Sequence, residues 1–297
     1  MPCTRRHLLA CSAAALVMPG AARAGVQARW QGGAMGAEAS ITIAGTDAID
    51  ARPVFAAAEV EIARLERIFS LFAPHGALSR LNAAGVLPAP PPELVEMLAL
   101  SDTLNTATGG AFDPTVQPLW QALVTSGDVA AARALVGWGG VVFSADEVRL
   151  ARPGMGLTLN GIAQGFVTDR IAAFLRDRGF GDILVDMGEI AGFGHAADGE
   201  EWQARIVAPD GRVVGRVGLR DRALATSAPM GTAISPGQGH ILSAAGLMPQ
   251  QALVAVSAPS AAVADGLATA LCLMDAEAGA RAVAAFPGAR IEAMEPA

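Results

Sequence analysis

Hydrophobic positions recur along this chain at two periods, and the change from one to the other marks out its elements. Between Ala51 and Phe72 the apolar residues Val54, Ala58, Ile62, Leu65, Ile68 and Phe69 fall at three- and four-residue spacing, which predicts a long amphipathic helix. Glu93 to Thr106 predicts a second, after the turn-rich break Pro88 to Pro92. A third opens at Asn160-Gly161, runs through Phe174 and stops at Gly179. Strand patterns occupy Gly33 to Ile43, the buried run Ile183-Leu184-Val185, Trp202–Val207, Val213–Leu219, Leu224–Thr226 and Leu253–Val256, and Gly137 to Leu150 reads as a small hairpin. Helices segregated from strands predict an α+β fold, mixed and mostly antiparallel, built as one domain over residues 25–297.

The most informative stretch is Pro259 to Asp275, PSAAVADGLATALCLMD. Ser260 can cap a helix, Val263, Leu267, Leu271 and Met274 recur at helical spacing, and the polar side chains Asp265 and Thr269 lie four residues apart on a different face. A helix apolar on nearly all sides is a buried one, and a buried carboxylate costs several kcal/mol or more unless compensated. The chain contains no lysine, all 21 of its basic residues being arginine. Three readings of Asp265 therefore stand side by side: a hard divalent ion held by oxygen ligands, an arginine pair, or a helix-capping role.

Residues 1–24 read as an export signal. Arg5-Arg6 precedes the apolar run Leu8 to Met18, and Ala22-Arg23-Ala24 supplies a small-x-small cleavage pattern, which predicts the twin-arginine route and a periplasmic destination. The run is too short to span a bilayer, and no later segment is long and apolar enough to do so. Cys11 stands too early in the run for a lipoprotein anchor. Removing the leader takes away three arginines and no acid, which moves the formal net charge from −7 to −10 and argues against nucleic-acid binding. Cys272 is then the one cysteine left, so no disulfide framework, Cys-type zinc site or redox pair is available.

Four further segments carry candidate chemistry. Gly109 to Val116, GGAFDPTV, is a glycine-led loop that suits either a plain turn or the clasping of an aromatic heterocycle. Leu157 to Phe166, LTLNGIAQGF, passes from strand to helix and exposes amides where a pyrophosphate or metal can sit. Asp186-Met187-Gly188-Glu189 places two carboxylates at a strand end, as turn chemistry or as part of a site. Ala225-Thr226-Ser227 and His240-Ile241-Leu242 bring hydroxyls and an imidazole to the same third of the chain, and His240 is the best-placed general base. No Gly-x-Ser-x-Gly elbow supports a Ser-His-Asp hydrolase, and no Rossmann or P-loop fingerprint is present.

Together these segments resemble the ApbE family of FAD:protein FMN transferases over nearly the whole length after the leader. The matching marks run in family order: Met35-Gly36, Ile68-Phe69-Ser70, Leu78-Ser79-Arg80-Leu81-Asn82, the Gly110–Val116 loop, Gly161-Ile162-Ala163-Gln164-Gly165, Ala225-Thr226-Ser227, His240-Ile241-Leu242, and Ala264-Asp265 with Thr269. Within the family the chain looks most like the branch that accompanies nitrous oxide respiration, often called NosX.

The resemblance implies an ApbE-like, T-fold-like architecture with flanking helices and a FAD cleft between two lobes. It implies Mg²⁺ held by Asp265, Thr269 and the carbonyl of Gly161, with His240 as base. FMN would pass from FAD to a threonine of an exported acceptor protein, releasing AMP. Met35, Phe72, Ala111, Phe112, Asp113, Thr158, Gln164 and Ile241 match family positions that contact FAD, with Glu189 as a further candidate. Two other outcomes fit the same residues: hydrolysis of FAD to FMN and AMP, and flavin binding without turnover by an assembly factor. The chain departs from the family pattern in three places. Gln164 replaces a lysine or acid, Ala37 replaces the threonine of Met-Gly-Thr, and Ser243-Ala244-Ala245-Gly246 replaces an Asp-Pro segment whose carboxylate could orient His240.

Overall fold

A computed structural model describes residues 16–17, 25–235 and 237–297, so most of the expected leader lies outside the described residues. In chain order the first half comprises β1 (Leu16–Val17), β2 (Gln27–Ala34), β3 (Ala37–Ala44), α1 (Arg52–Phe69), α2 (Ala77–Ala84), β4 (Val86–Pro88), α3 (Pro92–Ala107), α4 (Gln117–Thr125), α5 (Val129–Arg133), β5 (Val141–Phe143) and β6 (Glu147–Leu150). The second half comprises α6 (Ala163–Arg176), β7 (Ile183–Asp186), β8 (Ile190–Phe193), β9 (Trp202–Val207), β10 (Val213–Leu219), β11 (Arg222–Ser227), β12 (Ala233–Ser235), β13 (Gln238–Gly239), β14 (Gln251–Ala258), α7 (Ala261–Leu271), α8 (Ala276–Ala284) and β15 (Arg290–Pro296).

The frame is a seven-stranded sheet in the order β15-β14-β11-β8-β7-β3-β2. Every ladder among the described strands is antiparallel, so the expected mixed sheet is purely antiparallel. Both of its faces are covered, which explains why its central strands are continuous apolar runs rather than alternating ones. Ile183 and Val185 of β7, Ala225 of β11, and Val254 and Val256 of β14 join the main core beneath helices α1, α3, α6 and α7. Leu184, Leu224, Leu253 and Ala255 point the other way, into a second core closed by Trp202, Ala204 and Ile206 of β9 and Val217 and Leu219 of β10. The strand period of two thus assigns alternate residues to two cores, at roughly 1.5–3 kcal/mol for each large side chain buried.

The structure corrects several expectations. The single strand expected over Gly33–Ile43 is the β2–β3 hairpin, turned by Met35 and Gly36 with φ of 51° and 80°. Positive φ at both loop residues is what the type I′ turn of a two-residue hairpin requires. The first helix ends at Phe69 rather than Phe72, and the helix expected to open at Asn160-Gly161 begins at Ala163, because Asn160 and Gly161 form the turn before it. Helix α7 stops at Leu271, which leaves Met274 beyond it, and Val263 is only partly buried. Helices α2 and α4 and strands β4, β8 and β15 carry too little periodic signal in their short runs to be anticipated.

Helices α6 and α7 lie antiparallel and very close. A Cβ on Gly165 would run into the Ala261 carbonyl, so glycine is required where the two backbones meet. Helix α2 and the β4-β6-β5 sheet share the main core, to which they contribute Leu78, Leu81, Leu87, Val148 and Leu150.

Candidate active site

A cavity of about 570 Å³ opens between α4 with the glycine-led loop and α7 with the end of β11, large enough for a substantial small molecule. Its walls include the Ala111–Pro114 part of the glycine-led loop, helix α4, the turn before α6, the turn before β8, the end of β11, the loop after β13 and one face of α7. Phe72, Ala111, Phe112, Asp113, Thr158, Gly161, Gln164, Glu189, His240, Ile241, Asp265 and Thr269 all line it. Met35 does not. Its side chain belongs to the main core at the β2–β3 turn, where its amide donates to Glu66 Oε1 of α1 at 2.6 Å.

The electrostatics of this cavity are one-sided. Asp265 and Glu189 are 4% and 5% exposed, and no arginine among the described residues lines the walls. Asp265 Oδ2 accepts the Gly165 amide at 3.0 Å, and Glu189 Oε2 accepts the Thr226 amide at 3.2 Å. Among the described residues no basic side chain pairs with either, which rules out the arginine reading of Asp265. The capping reading is right in part, since Gly165 sits in the first turn of α6. Burial pushes the Asp265 carboxyl up to about 7, and burial together with the charge of Asp265 holds Glu189 well above the usual carboxylate range.

Hydroxyls surround these acids. Thr269 Oγ1 and Ser227 Oγ are 3.4 Å apart, and Thr269 packs directly over Gly161, where an added Cβ would collide with its side chain. Thr226 Oγ1 and Gln164 Nε2 are buried without a partner among the described residues. No cluster of three or more His, Cys, Asp or Glu side chains shaped for a metal occurs among the described residues. The donors here are instead one or two carboxylates, hydroxyls and a backbone turn, an all-oxygen set of the kind Mg²⁺ takes when substrate phosphates complete its shell. The residues present therefore fit a hard divalent cation: an under-partnered carboxylate, orphaned hydroxyl oxygen and, among the described residues, no competing positive charge.

His240, directly after β13, is half-buried in the cavity wall. Its Nδ1 lies 3.3 Å from the Thr232 carbonyl, and burial pushes its imidazole below the ordinary range. A carbonyl at Nδ1 favours the tautomer with the proton there and leaves Nε2 free to accept one. The Thr232 carbonyl thus stands where the shortened Ser243–Gly246 segment offers no carboxylate. Asp113 is engaged by its own loop: Oδ1 accepts from the Thr115 amide at 2.8 Å and from the Thr115 hydroxyl at 2.6 Å.

Sequence reasoning passes over Asp169 on α6. Its carboxylate accepts the Ser260 hydroxyl at 2.7 Å and the Ala261 and Ala262 amides at 2.8 and 3.0 Å, so it holds the amino end of α7. Its one signal is the helical spacing of four residues from Gly165, which has no meaning until α7 is known to lie alongside. Ser260 caps α7 as expected, accepting the Val263 amide at 3.3 Å.

Residues 35–294 match the model of the ApbE family. The chain is 27% identical over 203 residues to a FAD:protein FMN transferase of Klebsiella pneumoniae, a match covering 61% of this chain and 57% of that protein, little more than half its length. Among solved structures it is similar to the flavin transferase ApbE of Vibrio cholerae, with a TM-score of 0.77 at 27% identity over 88% of this chain and 91% of that one. It is similar also to the apo form of the flavinyl transferase ApbE of Pseudomonas stutzeri, with a TM-score of 0.76 at 27% identity over 88% of both chains. An apbe protein of Thermotoga maritima, 22% identical with a TM-score of 0.78 over 91% of this chain and 97% of that one, shares the fold.

Proposed function

The chain belongs to the ApbE family, and we propose that it is an Mg²⁺-dependent transferase that moves FMN from FAD to a threonine hydroxyl of an exported acceptor protein, releasing AMP. The observation that carries this reading is the charge pattern of the cavity among the described residues: two buried carboxylates, orphaned hydroxyl oxygen, an imidazole and no arginine. A pyrophosphate in such a cavity finds no arginine to pair with among the described residues.

Asp265, Thr269 and the Gly161 carbonyl would hold Mg²⁺, and the ion when bound supplies charge neutralisation at the pyrophosphate. Gly165 orients the Asp265 carboxylate by donating to one oxygen, which leaves the other for the ion. Phe112 and Ile241 offer apolar walls for a flavin ring, and Gln164 Nε2 is an unused donor for one of its polar edges. The acceptor threonine Oγ attacks the phosphorus of the FMN half. The P–O bond to the AMP phosphate breaks, and the hydroxyl proton passes to His240 Nε2. His240 is suited to this because burial keeps it neutral and the Thr232 carbonyl fixes its ring. The export signal read at residues 1–24 supports a periplasmic place of work and an acceptor that is itself exported.

The test is incubation of the protein, freed of residues 1–24, with FAD, Mg²⁺ and candidate flavin-carrying periplasmic domains, followed by mass spectrometry. The expected result is an FMN adduct on a threonine and one AMP per adduct. Free FMN with unlabelled acceptor would instead establish a FAD pyrophosphatase, and bound but intact FAD a delivery factor.

A further inference from the structure

Helices α6 and α7 cap one another. Asp265 of α7 accepts the amide of Gly165 in the first turn of α6, while Asp169 of α6 accepts the amides of Ala261 and Ala262 and the hydroxyl of Ser260 at the start of α7. Residues 165 and 169 are one turn apart on α6, as 261 and 265 are on α7, so the two carboxylates form the rungs of one antiparallel ladder. Close contact at Gly165 leaves no room for α7 to slide without breaking both rungs.

We propose that Asp169 is a positioning residue for the cation site, setting the register of α7 so that Asp265 and Thr269 both face Gly161. This rests on the reading of Asp265 and Thr269 as cation ligands. Asp169 touches neither the cavity nor the reacting atoms, as it is absent from the cavity lining. Its three donors all come from Ser260, Ala261 and Ala262, and Asp265 follows within a turn of them on the same rigid helix. An angular or axial slip there displaces Asp265 and, one turn further, Thr269. The same slip would pull Thr269 from its seat on Gly161, which joins the turn and the helix into one oxygen cluster. Partners that orient metal ligands from behind are worth about 10- to 100-fold in metal affinity.

The experiment is calorimetric titration of Mg²⁺ into the metal-free protein at pH 8, comparing the parent with Asp169→Ala, Ser260→Ala and the control Asp275→Ala. Asp275 caps α8 by accepting the Ala278 amide at 2.7 Å, so its loss removes a helix cap of the same kind away from the carboxylate ladder. The expected result is about a 10- to 100-fold rise in Kd for Asp169→Ala, a smaller rise for Ser260→Ala, and an unchanged Kd for Asp275→Ala. A purely structural role would lower the melting temperature of metal-free and metal-loaded protein equally and leave Kd where it was, and that outcome overturns the proposal. Should Asp169→Ala fail to fold, Ser260→Ala decides, and an unaltered Kd there overturns it. A parent protein that binds no divalent ion would defeat the cation reading itself and this proposal with it, whereas tight binding unaltered in the variants would defeat this proposal alone.

Discussion

Asp169 and Asp265 sit one turn apart on facing helices, and each is withdrawn from solvent, yet their surroundings differ in kind. Asp169 has three donors aimed at it and completes the amino end of α7. Asp265, more deeply buried, has one donor among the described residues, the carboxylates of Glu189 and of Asp169 itself for neighbours, and open cavity in front of it. Hydrogen bonds to a charged group contribute about 1.5–3 kcal/mol each, so three of them compensate a good part of a buried charge and one does not. The first carboxylate is therefore a finished piece of structure, and the second is a site waiting for positive charge. Burial alone does not separate a structural acid from a functional one; the count of donors around it does.

That contrast breaks most sharply at Asp265 itself. Asp265→Ala is expected to abolish Mg²⁺-dependent transfer, a fall of roughly 10³-fold or more for the loss of several kcal/mol of transition-state stabilisation, in a rate assay across Mg²⁺ concentrations. Full activity with unaltered metal dependence would mean that the carboxylate is structural after all. Next in size is His240→Asn, which should slow single-turnover transfer by about 10²- to 10⁴-fold while FAD affinity, read by calorimetry, stays the same. An unchanged rate would remove His240 from the mechanism and leave the Thr232 carbonyl contact as mere packing.

The pH dependence sharpens the comparison further. Folding raises the pKa of Asp265 to about 7 and that of Glu189 well above its usual value, so the folded chain binds more protons than the unfolded one above about pH 4. Stability of the metal-free protein then falls as pH rises from about 4 through 7, the reverse of a carboxylate whose folded pKa is depressed. Thermal melts at about pH 5 and pH 8 should show the lower melting temperature at the higher pH, with Mg²⁺ raising it there and doing little at the lower one. In the same window Mg²⁺ affinity should weaken by about tenfold for each pH unit below 7, because a proton competes for the same oxygen. A melting temperature that rises with pH and ignores Mg²⁺ would contradict the assignment.

A smaller effect concerns the donor. FAD should bind more tightly than FMN, by a few-fold to about tenfold, and the gap should widen when Mg²⁺ is present. Among the described residues the walls carry no arginine to hold the pyrophosphate otherwise. Competition calorimetry checks it, and equal affinities would point to another ligand.

Much of the site is legible in the sequence because its chemistry is local. Asp265 and Thr269 stand four residues apart on one apolar helix, and their spacing alone puts them on one face. The fold is legible where periodicity runs long, as in α1 and α3, and illegible where short strands such as β8 are specified by pairing partners far off in sequence. The β2–β3 hairpin is hidden because Met35 occupies a left-handed turn position with no turn-like residue but Gly36 to signal it. Met35, which matches a family position that contacts FAD, sits outside the cavity lining for the same reason: its motif is visible in the sequence, but the strand reversal that turns it into the core is not. Asp169 and the Thr232 carbonyl escape because their partners lie across a helix pair and a loop, and no spacing in the sequence encodes either contact.

The most direct test of the central claim, that the under-partnered carboxylate is a divalent-cation site, uses Mn²⁺ as a paramagnetic stand-in for Mg²⁺. Electron paramagnetic resonance titration of the metal-free protein at pH 8 should find Mn²⁺ bound at one site per chain, displaced by Mg²⁺, and lost in Asp265→Ala but retained in Asp275→Ala. Equal Mn²⁺ binding by the parent and Asp265→Ala would contradict it.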